Sequence, residues 1–145
     1  MPHWVNEAFD EYARRMPRSL PVELKEIRPE PRNSGKPVAQ LLMAESARMI
    51  KAVPQGAFRV ALDERGREFS TAQLARWIGA RAQDGRDAAF LVGGADGLAP
   101  ETKSGAELLL RLSAMTLPHG LARVLLAEQL YRAVSILGNH PYHRE

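Results

Sequence analysis

The end of the chain combines side chains that can transfer protons, stack on bases and bind phosphate. It reads His140-Pro141-Tyr142-His143-Arg144 and follows directly on a long apolar segment. Imidazole and phenol groups donate and accept hydrogen bonds, and a guanidinium binds phosphate oxygens in a two-point contact. Chain ends are usually frayed. This tail is therefore either a disordered polar end or part of a site that the preceding segment anchors.

Two further segments follow apolar runs, where ligand sites often form. Gly93 to Gly97 comes directly after the run 88–92, and residues 112–120 lie between a strand pattern and the long apolar segment. Glycines after a parallel strand let backbone approach a ligand. The second segment offers apolar side chains and free backbone groups for a flat adenine. A plain tight turn and a core strand that runs into a helix cap are the alternative interpretations. The glycines match neither G-x-G-x-x-G nor a Walker loop.

Helix and strand patterns alternate along the chain and must position these segments. Helical periodicity covers 2–16, 38–53 and 121–137, and a capping box of Ser70 and Gln73 opens another helix that ends at Asp84-Gly85. Strand patterns cover 22–27, 58–62 and 88–92 and fall within 108–116, and a charged turn spans 63–67. The alternation predicts an α/β fold with a largely parallel sheet. Helix 121–137 is apolar nearly all round, which favours packing on a second copy and hence a homodimer.

Length and composition limit the classes of protein to which the chain can belong. With 145 residues, of which 45% are hydrophobic and 26% charged, we expect a single domain over 1–145 with its own core. The absence of cysteine excludes thiolate chemistry and disulfides, and without a signal-peptide pattern we expect a cytoplasmic protein. The net charge of +3 is a weak signal for nucleic acid. His140 and His143 lack further donors at ligand spacing, so we expect no metal site.

Taken together, the carboxyl-terminal segments resemble one family. The chain carries a G-G-x-x-G-L loop, then L-S-x-x-T-L-P-H, then L-L-A-E-Q-L-Y-R-A and a closing N-H-P-Y-H-R-E. In order and spacing these motifs resemble the ribosomal RNA large-subunit methyltransferase H family of the SPOUT superfamily. The resemblance covers essentially the whole chain and is most specific from Leu91 to Glu145. It implies an α/β fold with a deep carboxyl-terminal trefoil knot, which is a rare exception to unknotted topology.

The resemblance also implies an activity. It implies transfer of a methyl group from S-adenosyl-L-methionine to N3 of a pseudouridine in helix 69 of 23S rRNA, by a homodimer that acts on the assembled ribosome without a metal. The methyl-acceptor side would consist of Tyr142, His143 and Arg144. By their chemistry His143 could be the base, Tyr142 a base-stacking or donating group and Arg144 a phosphate contact, and which residue removes the proton stays open. The implied cofactor-binding residues are Leu62, Gly94, Ser113, Ala114, Met115, Thr116, Leu117 and Pro118.

The chain departs from the family pattern at two places. Family members usually have a short apolar strand before the segment that begins here at Met1, so we expect the first strand of the family to be missing from this sequence and the true start to lie upstream. The glycine loop reads Ala95-Asp96 where the family commonly has Pro-Glu.

Two other classes of function remain open from the residues themselves. One is an RNA- or ribosome-binding dimer without chemistry, in which the tail and Arg28, Arg32 and Lys36 hold phosphates. The other is a structural dimer whose glycine loop is only a turn. Of the three hypotheses, only the enzyme predicts specific cofactor binding at Gly94 and Ser113–Pro118.

Overall fold

The computed structural model of the chain describes residues 1–144. Helices and strands alternate along most of this range, as the sequence patterns predict. The elements are α1 (His3–Ala13), α2 (Val38–Ala52), β1 (Phe58–Glu68), α3 (Thr71–Asp84), β2 (Ala88–Leu91), α4 (Pro100–Ser104), β3 (Leu108–Arg111) and α5 (His119–Leu137). None of the helices over residues 1–144 has both the length and the hydropathy needed to cross a membrane.

The sheet has three strands in the order β2-β1-β3, and both strand pairs are parallel. Val60 of β1 lies opposite Phe90 on one side and Leu108 on the other. This arrangement confirms the predicted α/β class with a parallel sheet. The trefoil knot stays a prediction.

β1 is longer than the strand predicted over 58–62. Leu62 and Arg67 both lie opposite Leu110, so residues 63–66 leave the ladder and the strand then resumes. Gly66 permits this, because a Cβ at that position would lie 2.8 Å from backbone atoms of Leu109 and Leu110. The turn predicted over 63–67 is therefore an interruption within one strand and does not end it.

The predicted start of α3 is confirmed in detail. The backbone N–H of Gln73 donates to Ser70 Oγ at 3.1 Å, and the N–H of Ser70 donates to Gln73 Oε1 at 2.7 Å. These two bonds satisfy donors that a helix start leaves unpaired. The helix ends at Gly85, whose left-handed φ of +71° suits glycine.

The main core lies between α3 and α5. Leu74 and Ile78 of α3 pack with Leu126, Leu130 and other buried residues of α5. On another side, α1 approaches the start of α5, where a Cβ on Gly120 would lie 3.1 Å from Val5. Two helices of the same chain therefore cover much of the apolar surface of α5, and its composition does not by itself require a second subunit.

Two sequence-based predictions differ from the structure. Residues 22–27 form no strand, although apolar and polar residues alternate there. In residues 1–144 no strand pairs with this segment, and a strand without a partner leaves its backbone groups unsatisfied. The side chains of Lys25 and Glu26 instead bond outward to the carbonyl of Ala52 and to Arg123. The short helix α4 was not predicted, because five residues are too few to show helical periodicity.

Candidate active site

The three candidate cofactor segments lie at one edge of the sheet. Leu62 ends the first paired stretch of β1, Gly94 follows the end of β2, and Ser113 follows the end of β3. Adjacent parallel strands end on the same side, so the fold gathers segments that are up to 51 residues apart in sequence. The side chains of Leu62, Val92 and Leu112 also pack on the same core. Ligands of open α/β sheets bind at this edge.

Within the glycine loop, the fold requires two glycines and leaves a third free. A Cβ on Gly93 would lie 2.5 Å from the carbonyl carbon of Gly97, and Gly97 itself has a φ of +76°. The N–H of Gly97 donates to the carbonyl of Gly94 at 3.0 Å, which closes a tight turn. Gly94 is exposed, and a Cβ there would meet no atom within 4 Å. The turn therefore explains Gly93 and Gly97 and leaves Gly94 available to a ligand.

The glycine loop is tied to the neighbouring elements by Arg32. Its Nε donates to Asp96 Oδ2 at 3.0 Å, and its Nη1 donates to Glu45 Oε2 at 2.8 Å. The hydrogen bond with Glu45 is the largest influence and raises the pKa of Arg32; burial acts to lower it, and the bond with Asp96 raises it further, so that the pKa is raised overall. Two carboxylates neutralise this guanidinium, which argues against Arg32 as a phosphate contact.

Two cavities lie near these segments, one beside the glycine loop and one beside the end of β3. One of about 30 Å³ lies beside Gly94, between the glycine loop, α2 and α4, and suffices only for a water molecule. A larger one of about 310 Å³ lies between the start of α3, the end of β3 and the middle of α5. Arg111 lines this larger cavity, and its buried Nε has no hydrogen-bond partner among residues 1–144. Neither cavity is lined by residues 113–118.

Residues 113–118 form an open loop between β3 and α5. The N–H of Met115 donates to Ser113 Oγ at 2.9 Å, which fixes the start of the loop. Ala114, Met115 and Thr116 are exposed, and Met115 is 79% exposed although it is apolar. An exposed apolar side chain beside free backbone groups suits a ligand that has both a flat ring and polar edges.

The tail is docked on α5. Tyr142 Oη donates to Glu128 Oε2 at 2.8 Å, and the same oxygen accepts from Arg132 Nη2 at 2.9 Å. The Tyr142 ring lies 4.6 Å from the ring of Tyr131, edge to face, and 4.7 Å from the guanidinium of Arg132. Burial, followed by the bond to Glu128, raises the pKa of Tyr142 to about 12, so the phenol is protonated at neutral pH.

The remaining tail residues are held less tightly. The N–H of His140 donates to the carbonyl of Ser135 at 2.8 Å, and His140 Nδ1 accepts from the N–H of Tyr142 at 3.2 Å. His143 Nδ1 lies 3.4 Å from Arg132 Nη1, which is long for a hydrogen bond. Arg144 is exposed. The structure therefore favours a docked tail over a frayed end.

Within one chain, the tail and the cofactor segments are separate. No hydrogen bond or ion pair of residues 1–144 joins tail residues 140–144 to Gly94 or to residues 113–118. Glu128 lies nine residues after the start of α5 at His119. At 1.5 Å per residue, the tail anchor is therefore about 14 Å along the helix from the loop that precedes it.

Sequence reasoning missed the residues that hold the tail. Glu128 and Arg132 stand out only as a charged pair at i,i+4 in an otherwise apolar helix, which is a common surface feature. Their burial was the missing signal, since the Glu128 side chain is only 16% exposed. Among residues 1–144, no group of three or more His, Asp or Glu side chains is arranged to hold a metal ion.

Comparison with known proteins defines the class first. A family model described as "Predicted SPOUT methyltransferase" matches residues 1–143 of the chain. The protein belongs to the SPOUT methyltransferase family, and it is a methyltransferase of α/β fold with a parallel sheet.

Curated relatives narrow the comparison further. The chain is 59% identical over 144 residues to a ribosomal RNA large subunit methyltransferase H of Burkholderia multivorans, an alignment that covers 99% of this chain and 92% of that relative. It is 58% identical over the same length and coverage to the protein of that name from Burkholderia ambifaria. A relative of that name from Burkholderia pseudomallei is 59% identical with equal coverage.

Proposed function

We propose that this chain transfers a methyl group from S-adenosyl-L-methionine to N3 of a pseudouridine in helix 69 of 23S rRNA. The assembled ribosome is the proposed substrate. Membership of a methyltransferase family and the printed name of the relatives support the reaction class and the kind of RNA. The main structural support for the location of the site is that Leu62, Gly94 and Ser113 lie at the same edge of the sheet.

The residues at this edge fit a cofactor with a flat ring and a polar chain. Gly94 leaves open space above its Cα, and the exposed stretch 114–116 can offer backbone hydrogen bonds to an adenine edge. The proposed cofactor-binding residues are Leu62, Gly94, Ser113, Ala114, Met115, Thr116, Leu117 and Pro118. When bound, the cofactor supplies an electrophilic methyl group on a sulfonium. The chain contributes orientation, which can account for a large part of the acceleration of such a displacement.

The methyl-acceptor side is assigned to Tyr142, His143 and Arg144. The acceptor nitrogen of the base lies between two carbonyls and must lose its proton. The contact of His143 with Arg132 is long, so its imidazole stays available to take that proton. Tyr142 keeps its proton and donates a hydrogen bond to Glu128, so it supports the tail and does not act as a base. Arg144 is exposed and suits a phosphate of the rRNA.

We further propose that the active form is a homodimer. Met1 and Trp4, at the start of the chain and in α1, are 44% and 53% exposed, and Leu137 at the end of α5 is 43% exposed. Exposed apolar side chains of this size can pack in an interface between subunits. Sedimentation of the purified chain tests this: a monomer at micromolar concentration would contradict the dimer.

The decisive experiment combines calorimetry with methyl transfer. Titration of the chain with S-adenosyl-L-methionine should give binding that Gly94→Trp abolishes without loss of fold. Ribosomes that lack the modification should then accept a labelled methyl group, located by a reverse-transcription stop in helix 69. Binding with label at another nucleotide would refute the proposed target alone. RNA binding by a folded dimer that binds no cofactor would instead support a non-catalytic ribosome-binding protein.

A further inference from the structure

Glu128 gathers the contacts that hold the tail. Its Oε2 accepts hydrogen bonds from Tyr142 Oη at 2.8 Å and from Arg132 Nη2 and Nε at 2.9 and 3.1 Å. Its Oε1 accepts from Gln129 Nε2 at 2.8 Å. Bonds to an ionised carboxylate are about twice as strong as bonds between neutral groups. Both oxygens of this largely buried carboxylate are therefore occupied within the chain.

We propose that Glu128 is a positioning residue for methyl transfer. It holds Tyr142 and Arg132 in place and so sets where the next two residues, His143 and Arg144, meet the RNA. This inference rests on the proposed function, because it concerns how the methyl-acceptor side of that site is held.

The contacts around Tyr142 show that its ring is an anchor. One neighbour is the ring of Tyr131 at 4.6 Å, and another is the guanidinium of Arg132 at 4.7 Å. These neighbours occupy surface that a stacked base would need. The chain reverses at Asn139, whose φ is +55°, and the N–H of His140 then bonds to α5. With the turn and the phenol both fixed, the backbone before His143 has little freedom.

Electrostatics favours the same arrangement. Burial acts to raise the pKa of Glu128, but hydrogen bonds from Arg132 and Tyr142 outweigh it, and the pKa is lowered overall. Glu128 is thus ionised while Tyr142 is protonated at neutral pH, which pairs a strong acceptor with a donor. The other titratable groups that face Tyr142 are Arg132 and Tyr131 on α5, Tyr12 on α1 and His140 in the tail. Tyr12 also tends to keep the phenol protonated.

The test compares three variants with a matched control. Glu128→Gln keeps the shape and removes the charge, Glu128→Ala removes the acceptor, and Tyr142→Phe removes the donor. Glu107→Gln is the control, because Glu107 also forms a two-point pair, with Arg86 at 3.1 and 3.2 Å, but precedes β3 at the other end of the sheet. The readouts are kcat and KM on ribosomes, cofactor affinity by calorimetry, and the titration of the Tyr142 phenol by NMR with labelled tyrosine.

A positioning role predicts a specific set of changes. Glu128→Ala should lower kcat about 10- to 100-fold, since a displacement of about 1 Å can cost that much. Cofactor affinity should change less than about twofold, because the tail does not contact Gly94 or residues 113–118. Tyr142 should titrate at lower pH in Glu128→Gln, and the double variant Glu128→Ala/Tyr142→Phe should be no slower than the slower single variant. The control should match the wild type throughout.

Several results would overturn the role of Glu128. With an active wild type, any one of three results is enough: Glu128→Ala turns over at the full rate, the titration of Tyr142 is unchanged in Glu128→Gln, or the losses of the two single variants multiply in the double variant. A folded wild type that methylates no ribosome would overturn the proposed function, and the positioning role with it. If Glu128→Ala does not fold, Glu128→Gln and Tyr142→Phe carry the same comparison.

Discussion

Replacing Gly93 with alanine separates the structural glycines of the loop from the one assigned to the cofactor. The added Cβ would lie 2.5 Å from the carbonyl carbon of Gly97 and 2.9 Å from its Cα. Carbon atoms pack without strain at about 3.5–4.0 Å, so the overlap is about 1 Å. The atoms that would have to move belong to backbone and cannot rotate away. Overpacking of this kind costs about 1–3 kcal/mol.

This cost is measurable as a shift in thermal unfolding. For a domain of this size, 1 kcal/mol corresponds to about 3 °C in Tm, so Gly93→Ala should unfold about 3–9 °C below the wild type in differential scanning calorimetry. Gly94→Ala is the matched control one residue away. Its Cβ would meet no atom within 4 Å and its φ is not left-handed, so its stability should stay within about 0.5 kcal/mol of the wild type.

In cofactor binding, Gly94→Ala should be the variant with the clear defect, although it is the more stable of the two. The methyl group of Gly94→Ala would enter the space assigned to S-adenosyl-L-methionine, so this stable variant should bind the cofactor more weakly in isothermal titration. Equal Tm values for the two variants would refute the steric account of the loop. Wild-type affinity in both Gly94→Ala and the bulkier Gly94→Trp would refute the placement of the cofactor at Gly94.

Two further predictions concern the groups that hold the loop and the tail. Arg32→Gln should weaken cofactor binding about two- to fivefold in calorimetry, because it releases the ion pairs that tie Asp96 to α2, and exposed ion pairs contribute up to about 1 kcal/mol. Lys36→Gln is the control and should leave the affinity unchanged. An unchanged affinity in Arg32→Gln would contradict the prediction. The pKa of Tyr142 is about 12 in the folded chain and about 10 in the unfolded chain, so the protonated phenol stabilises the fold. This contribution to the free energy of unfolding is fully present below about pH 10 and is lost as the pH rises through the folded value. Urea unfolding between pH 9 and 11.5 should therefore show about 1–2 kcal/mol more alkaline loss in the wild type than in Tyr142→Phe, and parallel curves would argue against the raised value.

Local signals in the sequence determined much of the fold. The capping box at Ser70, the glycine after α3 and the apolar run of β2 each depend on residues within a few positions, and each is confirmed. The prediction of a strand over 22–27 was wrong because strand formation also depends on residues far away in the sequence. Alternation describes which face of a strand is buried, but a strand also needs a neighbour to bond with.

For the candidate site, the sequence by itself determined which segments could carry chemistry, because glycine spacing and the composition of the tail are local properties. Only the tertiary structure decided how those segments are arranged. The sheet order places Leu62 between the loops that follow β2 and β3, and the fold brings the tail back onto α5, where Tyr142 reaches the largely buried Glu128. Such contacts join residues far apart in the chain, and their energy depends on burial, which a pattern of neighbouring residues does not contain.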